Sequence, residues 1–288
     1  MRSLVSVGVL VAVFAVVSSS VFAQWPKYTT PDVPRLADGQ PNLTAPTPRT
    51  PEGKPDLSGI WGLRFGGFGG RGRGAAAAPA PPDPTPAPPT DTPPVSGFGE
   101  VGGRGNPLPI QPWAAELKKT RMAANSKDNP DTRCLPIGLM QFHNHPQPRQ
   151  IVQTKSLMLI TYESNYGLRY IYLDGRPAPD NDPTPWWYGY SRGWWEGDTL
   201  VVETTNFRGD EIAGWLDVNG SPYTDALKTT ERFRRPNFGT LEIDVTIDDP
   251  KAYTKPFTVR VNQRVMVDQE MFEFICNENE QSSKHFAK

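Results

Sequence analysis

Residues 241–248 read LEIDVTID, with Leu241, Ile243, Val245 and Ile247 alternating with Glu242, Asp244, Thr246 and Asp248. Successive side chains of an extended strand point to opposite faces. The alternation therefore predicts a strand with one apolar face turned to a core and one polar face in water. The same reading extends in both directions. Upstream lie LSGIWGL (57–63), RQIVQT (149–154), SLMLITYE (156–163), LRYIYLDG (168–175), GYSRGWWEG (189–197), DTLVVETTNF (198–207) and ALKTTERFRR (226–235). Downstream lie FTVRVNQRVMV (257–267) and MFEFICN (271–277). Turn residues separate these runs, among them Asp174-Gly175, Gly197-Asp198 and Asn237-Phe238-Gly239. Only WAAELKKTRMAA (113–124), preceded by Pro112, reads as a helix. With few long helical patterns to make parallel crossovers, the chain is expected to be mainly β: an antiparallel meander with one short helix. A meander of about 8–10 strands closes into a barrel or folds as a sandwich, and the barrel is the expectation here.

Outside these strands the chain changes character. Residues 1–23 carry Arg2, an apolar run from Leu4 to Val17 and Val21-Phe22-Ala23 before Gln24, the pattern of a signal peptide. The apolar run is too short for a bilayer span, which takes about 20 residues, so export without stable membrane insertion is expected. Residues 24–57 are polar and proline-rich and read as an extended segment; 58–65 is the first barrel strand. From 66 to 112 the composition falls to glycine, alanine and proline, read as a flexible low-complexity loop. The helix and barrel body occupy 113–279, and 280–288 is a polar tail that includes His285.

The 30 Lys+Arg and 31 Asp+Glu residues give a formal net charge of −1, and loss of the leader removes only Arg2. Nucleic acid requires a basic face, so the near-neutral balance argues against it and no nucleic-acid partner is expected. Cys134 and Cys276 are the only cysteines. In an oxidising compartment they read as a disulfide, against the alternatives of a thiol nucleophile or half a metal site. Closing so long a loop is worth about 4–5 kcal/mol at most in the chain-entropy account.

The candidate chemistry lies in charges and rings within the strand patterns. Glu163 shares parity with Leu157, Leu159 and Thr161; Glu231 with Leu227 and Phe233; Arg169 with Ile171 and Leu173. If those apolar positions face inward, two carboxylates and a guanidinium enter the barrel, where they must pair or meet a polar ligand. A carboxylate with raised pKa beside Tyr188, Tyr190 or Tyr223 suits lyase, isomerase or hydratase chemistry, which makes Glu163, Glu231 and Tyr190 the catalytic candidates. His143-Asn144-His145 has metal-like spacing, but Pro146 and Pro148 argue for a loop, and no glutamate follows the pair before Glu163. No metal is assigned. No phosphate-loop, dinucleotide or nucleophile-elbow motif is present, so no cofactor is assigned either. The block WWYGYSRGWWEGDTL (186–200) holds four of the eight tryptophans. Trp194 and Trp195 are strand neighbours and point to opposite faces. Trp186, Trp187, Tyr188 and Tyr190 follow a proline-broken loop where a barrel mouth is expected, and with Arg169 they are the ligand-contact candidates.

Two resemblances bear on this. Gly59-Ile60-Trp61 resembles the G-x-W of lipocalin-like barrels, in which the tryptophan plugs the closed end beneath a late-strand basic residue, here Arg260 or Arg264. RCLPIG, YLDGRP, SRGWWEGDTLVVETTNF, TERFRR, VTIDDPKAYTKPFTV and EFICNEN resemble an abundant family of exported, poorly characterised bacterial proteins. The likeness covers about Pro55 to Asn279 outside the low-complexity loop. It implies a lipocalin-like barrel and a Cys134–Cys276 disulfide, and it imports no reaction. Many relatives carry histidine in the positions of Tyr190 and Tyr223, a departure that weighs against catalysis here. The expected function is binding of an apolar, aromatic or sugar-like small molecule. The alternatives are a cofactor-independent acid–base enzyme and an envelope interaction protein acting through the proline-rich loop.

Overall fold

The alternating stretch at 241–248 lies in β8 (Thr240–Asp248), paired along its length with β7 (Lys228–Asn237) and β9 (Phe257–Val265). A computed structural model describes residues 28–63, 92–164, 167–179 and 184–278. The leader, residues 66–91 of the low-complexity loop and the tail with His285 lie outside the described residues. The remaining elements are β1 (Gly59–Leu63), α1 (Pro112–Ala123), a 3-10 turn at Pro130–Arg133, α2 (Gly138–Asn144), β2 (Arg149–Gln153), β3 (Leu157–Tyr162), β4 (Leu168–Tyr172), β5 (Tyr190–Glu196) and β6 (Thr199–Thr205).

The nine strands close into one barrel, each beside its sequence neighbours and β9 beside β1. One step departs from the expected antiparallel meander: β4 and β5 run parallel, through Ile171↔Ser191 and Tyr172↔Arg192. The reason is topological. Nine is odd, so a strictly alternating meander brings its first and last strands together in parallel. Here β1 and β9 are antiparallel, with Trp61 opposite Val265, so one parallel step must occur elsewhere. The connection after Tyr172, with Pro177, Pro179 and Pro185, supplies it by carrying the chain back to the end where β4 began.

MFEFICN, read as a last strand, joins no ladder, and Phe272, Phe274 and Ile275 are exposed. Closure of β9 on β1 leaves this segment no free edge. It is tied down by the disulfide between Cys134 and Cys276, 142 residues apart. A second correction concerns 66–112. Residues 92–111 lie against the body: Val101 is fully buried, its N–H donating to Asp217 Oδ2 at 3.0 Å, and Val95 and Ile110 form bridges to Arg260 and Tyr253. Apolar side chains return to the sequence at Val95, which gives this part surface to bury. Residues 28–57 fold through bridged turns at Arg35↔Pro41 and Arg49↔Pro55, and Ala45 and Leu57 are buried.

Trp61 is fully buried at one end of the barrel, its Nε1–H donating to Leu57 O at 2.9 Å. The cation over its ring is Arg235, with the guanidinium carbon 4.9 Å from the ring centroid, and not Arg260 or Arg264. Parity explains this. On β9 the inward residues are Val259, Val261, Gln263 and Val265, so Arg260 and Arg264 face out, Arg260 onto Asp244 at 2.6 Å. On β7 the inward residues are Thr229, Glu231, Phe233 and Arg235.

The opposite end is closed by α2, read from the sequence as a loop. All seven of its residues are buried, with the Gln141 amide donating to Trp215 O at 3.2 Å. GLMQFHN is apolar enough to be drawn into the barrel mouth, and the helix ends at His145, just before the first proline. No described helix is long and apolar enough to cross a membrane.

Candidate functional site

The inward face of β7 brings Glu231 to the barrel centre, where its side chain is fully buried. Arg169, inward on β4, meets it in a fork: Nη1 donates to Oε1 at 3.0 Å and Nη2 to Oε2. Two further donors of Arg169 are used, Nε toward Ser191 Oγ at 3.1 Å and Nη2 toward Thr204 Oγ1 at 2.9 Å. His143 reaches down from α2, with Nε2 2.7 Å from Glu231 Oε1, and Arg149 Nη1 lies 3.2 Å from His143 Nδ1. A guanidinium can only donate, so Nδ1 must hold the lone pair and Nε2 the proton. The imidazole is therefore neutral and donates to Glu231.

Burial favours the neutral acid at Glu231, but the Arg169 charge and the His143 hydrogen bond outweigh it and hold the carboxyl at about 2. Burial lowers the pKa of His143 despite the pull of Glu231. It also pushes Arg149 down to about 10, while Arg169 is raised because Glu231 outweighs its own desolvation. Glu231 is thus a carboxylate held ionised near neutral pH in a buried network, and a poor proton acceptor there.

Glu163 lies elsewhere. The inward residues of β3 are Met158, Ile160 and Tyr162, so Glu163 takes the outward parity, and its Oε2 accepts the N–H of Phe272 at 3.0 Å. The run LMLI is apolar on both faces, which is why the pattern alone pointed the wrong way. Tyr190 is half-buried on the outer face of β5, and Tyr223 is buried against Phe207, ring centroids 6.0 Å apart. Glu163, Glu231 and Tyr190 are not brought together. His143 and His145 also separate: His145 Nε2 lies 3.7 Å from Asp131 Oδ2. Among the described residues no group of three or more His, Cys, Asp or Glu is placed to hold a metal.

The ligand-contact candidates do converge. The β4–β5 ladder has only two residue pairs, and toward the N-terminal ends of both strands it opens into a cleft of about 390 Å³. Tyr170, Tyr172, Trp186, Trp187, Tyr188 and Tyr190 line it, with the inward-facing Arg169 and Ser191 beneath. Tyr172 and Tyr190 stand 5.3 Å apart, Trp186 and Tyr190 6.3 Å, and the Arg176 guanidinium carbon lies 3.8 Å over the Tyr172 ring.

Backbone bonds fix the outer wall: Trp186 N–H donates to Asn206 O at 3.0 Å and Arg208 N–H to Trp186 O at 2.8 Å. Gly189 makes the turn, with φ at +66°, and a Cβ there would lie 2.4 Å from Thr204 Cγ2. The other half of the aromatic block is remote: Trp194 is exposed, while Trp195 packs against the core.

Sequence reasoning missed Arg149, Ser191, Thr204 and Tyr162 in the interior and Tyr170 and Tyr172 in the cleft. A signal existed for the last two. They carry the parity opposite to Arg169, so an inward Arg169 puts both tyrosines outside. No protein-family model and no curated protein matches the chain.

Proposed function

We propose that the protein is exported and binds a small ring-bearing molecule, apolar, aromatic or sugar-like, in the cleft between β4 and β5. The observation that carries this reading is the aromatic lining of a cleft of about 390 Å³, within the range of about 300–1,000 Å³ usual for small-molecule sites. Exposed rings held by backbone bonds offer contact area at low entropic cost, and their faces suit stacking on a planar ring or on the C–H face of a sugar. Export is supported by the leader pattern at 1–23, by the disulfide and by the resemblance to an exported bacterial family. The barrel axis is a weaker location for the ligand, because α2 closes one end and Trp61 the other. The acid–base reading has less support, since both Glu231 oxygens are engaged.

Titration with a panel of planar aromatics and monosaccharides, followed by tryptophan fluorescence, tests the proposal. At least one class is expected to quench saturably, with affinity lost on Trp186→Ala and retained on Trp194→Ala. Binding unchanged by Trp186→Ala, or no binder in the panel, removes the cleft from consideration.

A further inference from the structure

The groups behind the cleft are rich in donors and poor in acceptors. Arg149 is 1% exposed, yet no carboxylate pairs with it among the described residues. Its two hydrogen bonds go to one residue, to His143 Nδ1 at 3.2 Å and His143 O at 3.0 Å, and its Nε–H has no acceptor. The other strongly buried guanidiniums differ. Arg169 has Glu231, and Arg235 donates to the carbonyls of Asp56, Ser58 and Phe238.

Beside Arg149 stands Tyr162, with the guanidinium carbon 5.7 Å from its ring centroid, and next to Tyr162 stands Tyr188, ring centroids 6.2 Å apart. Both phenol oxygens are buried; that of Tyr188 lacks a partner among the described residues, and that of Tyr162 faces the Arg169 guanidinium, which leaves its own O–H without an acceptor. The charges agree with the hydrogen bonds. Two guanidiniums, one carboxylate and an imidazole held neutral by its own bonding leave one positive charge in excess. A buried charge without a counter-charge is costly, and unpaired buried donors add to that cost. Tyr188 connects the two regions, since it lines the aromatic cleft while its hydroxyl is buried and its ring stands against those of Phe142 and Tyr162.

We infer that the ligand of the cleft is a ring-bearing carboxylic acid, its carboxylate lodged behind Tyr188 against Arg149 and Tyr162 and its ring held by the outer aromatics. The inference rests on the cleft being the binding site and adds the chemical class. A carboxylate supplies about four acceptor sites and the missing negative charge. A neutral ring compound satisfies the cleft alone. For the acid group to pass, the Tyr188 ring must swing aside and the Phe142 ring, 4.9 Å from Tyr188 and 4.0 Å from Tyr162, must give way.

The test is calorimetric titration with benzoate, phenylacetate and 3-phenylpropionate and with their three primary amides, which keep ring and linker but lose the charge. One acid or more is expected to bind at least about tenfold more tightly than its amide, a difference of about 1.4 kcal/mol. Tyr162→Phe keeps the ring stacked on Phe142, centroids 4.0 Å apart, while removing one donor. It is expected to weaken the acid by about three- to tenfold and leave the amide unchanged. Arg149→Met is expected to abolish the preference, and if that variant does not fold, Tyr162→Phe alone decides. Acids and amides binding equally, both weakened by Trp186→Ala, overturn the carboxylate inference and leave the cleft standing. No binding by either series, when other ring compounds do bind, also overturns it, and no binding by any ring compound overturns both readings.

Discussion

Glu231 is the residue on which the interior turns. Its carboxylate is forked by Arg169 and bonded by His143, so removing it leaves a guanidinium buried and unpaired. Glu231→Gln is expected to cost about 3–5 kcal/mol in urea unfolding, the range for breaking a buried pair from one side. The same residues set the dependence of stability on pH. Both pKa values are lower in the folded state, so the unfolded chain takes up protons first as pH falls, and stability falls with it. His143 contributes stability that declines below its ordinary 6.5, and Glu231 contributes stability that declines between its ordinary 4.5 and its folded value of about 2. Unfolding free energies measured from pH 8 to pH 3 are expected to drop in two stages. His143→Gln is expected to remove the upper stage only; a single drop unaffected by that change contradicts the neutral imidazole. The inward placement of Glu231 and Arg169 was legible because each shares parity with residues that are themselves buried. Glu163 was misread because the strand before it offers apolar residues to both faces.

At the scale of elements, the cleft exists because β4 and β5 run parallel yet pair over only two residues. Gly189 is what lets residues 186–188 turn outward while the backbone passes tightly over Thr204 and Thr205. Gly189→Ala meets both a positive φ and a Cβ contact of 2.4 Å, so a loss of about 2 kcal/mol or more is expected in denaturant unfolding. Ligand affinity should fall with it, as the aromatic wall shifts. Stability and affinity equal to wild type contradict the tight turn at Gly189. Nine strands were readable from alternation and turn residues, because both are local properties. The parallel step was not, since it follows from the count of strands around a closed barrel. Two further elements escaped for reasons of context. GLMQFHN is too short to display a helical period, and MFEFICN has strand-like residues but no free edge to join.

For the whole molecule, the barrel looks from its sequence like a container, and the structure closes both ends of it. Trp61 and Arg235 hold one end, and α2 fills the other with seven buried residues. The disulfide joins Cys134, four residues before α2, to the C-terminal segment, so the closing helix and the chain end are tethered together. A ligand that does not enter along the barrel axis must use the wall, and the wall opens where β4 and β5 part. The place of the aromatic cleft on the flank and not at the mouth was beyond the sequence, because it depends on which segment plugs the barrel. Backbone hydrogen–deuterium exchange, with and without a saturating ring-bearing ligand found by titration, tests the claim most directly. Protection is expected in 168–172 and 184–191, with the ladder of β7, β8 and β9 unchanged. Protection confined to α2 and the β7–β9 ladder, with none at 184–191, would place the ligand in the barrel interior and contradict the account.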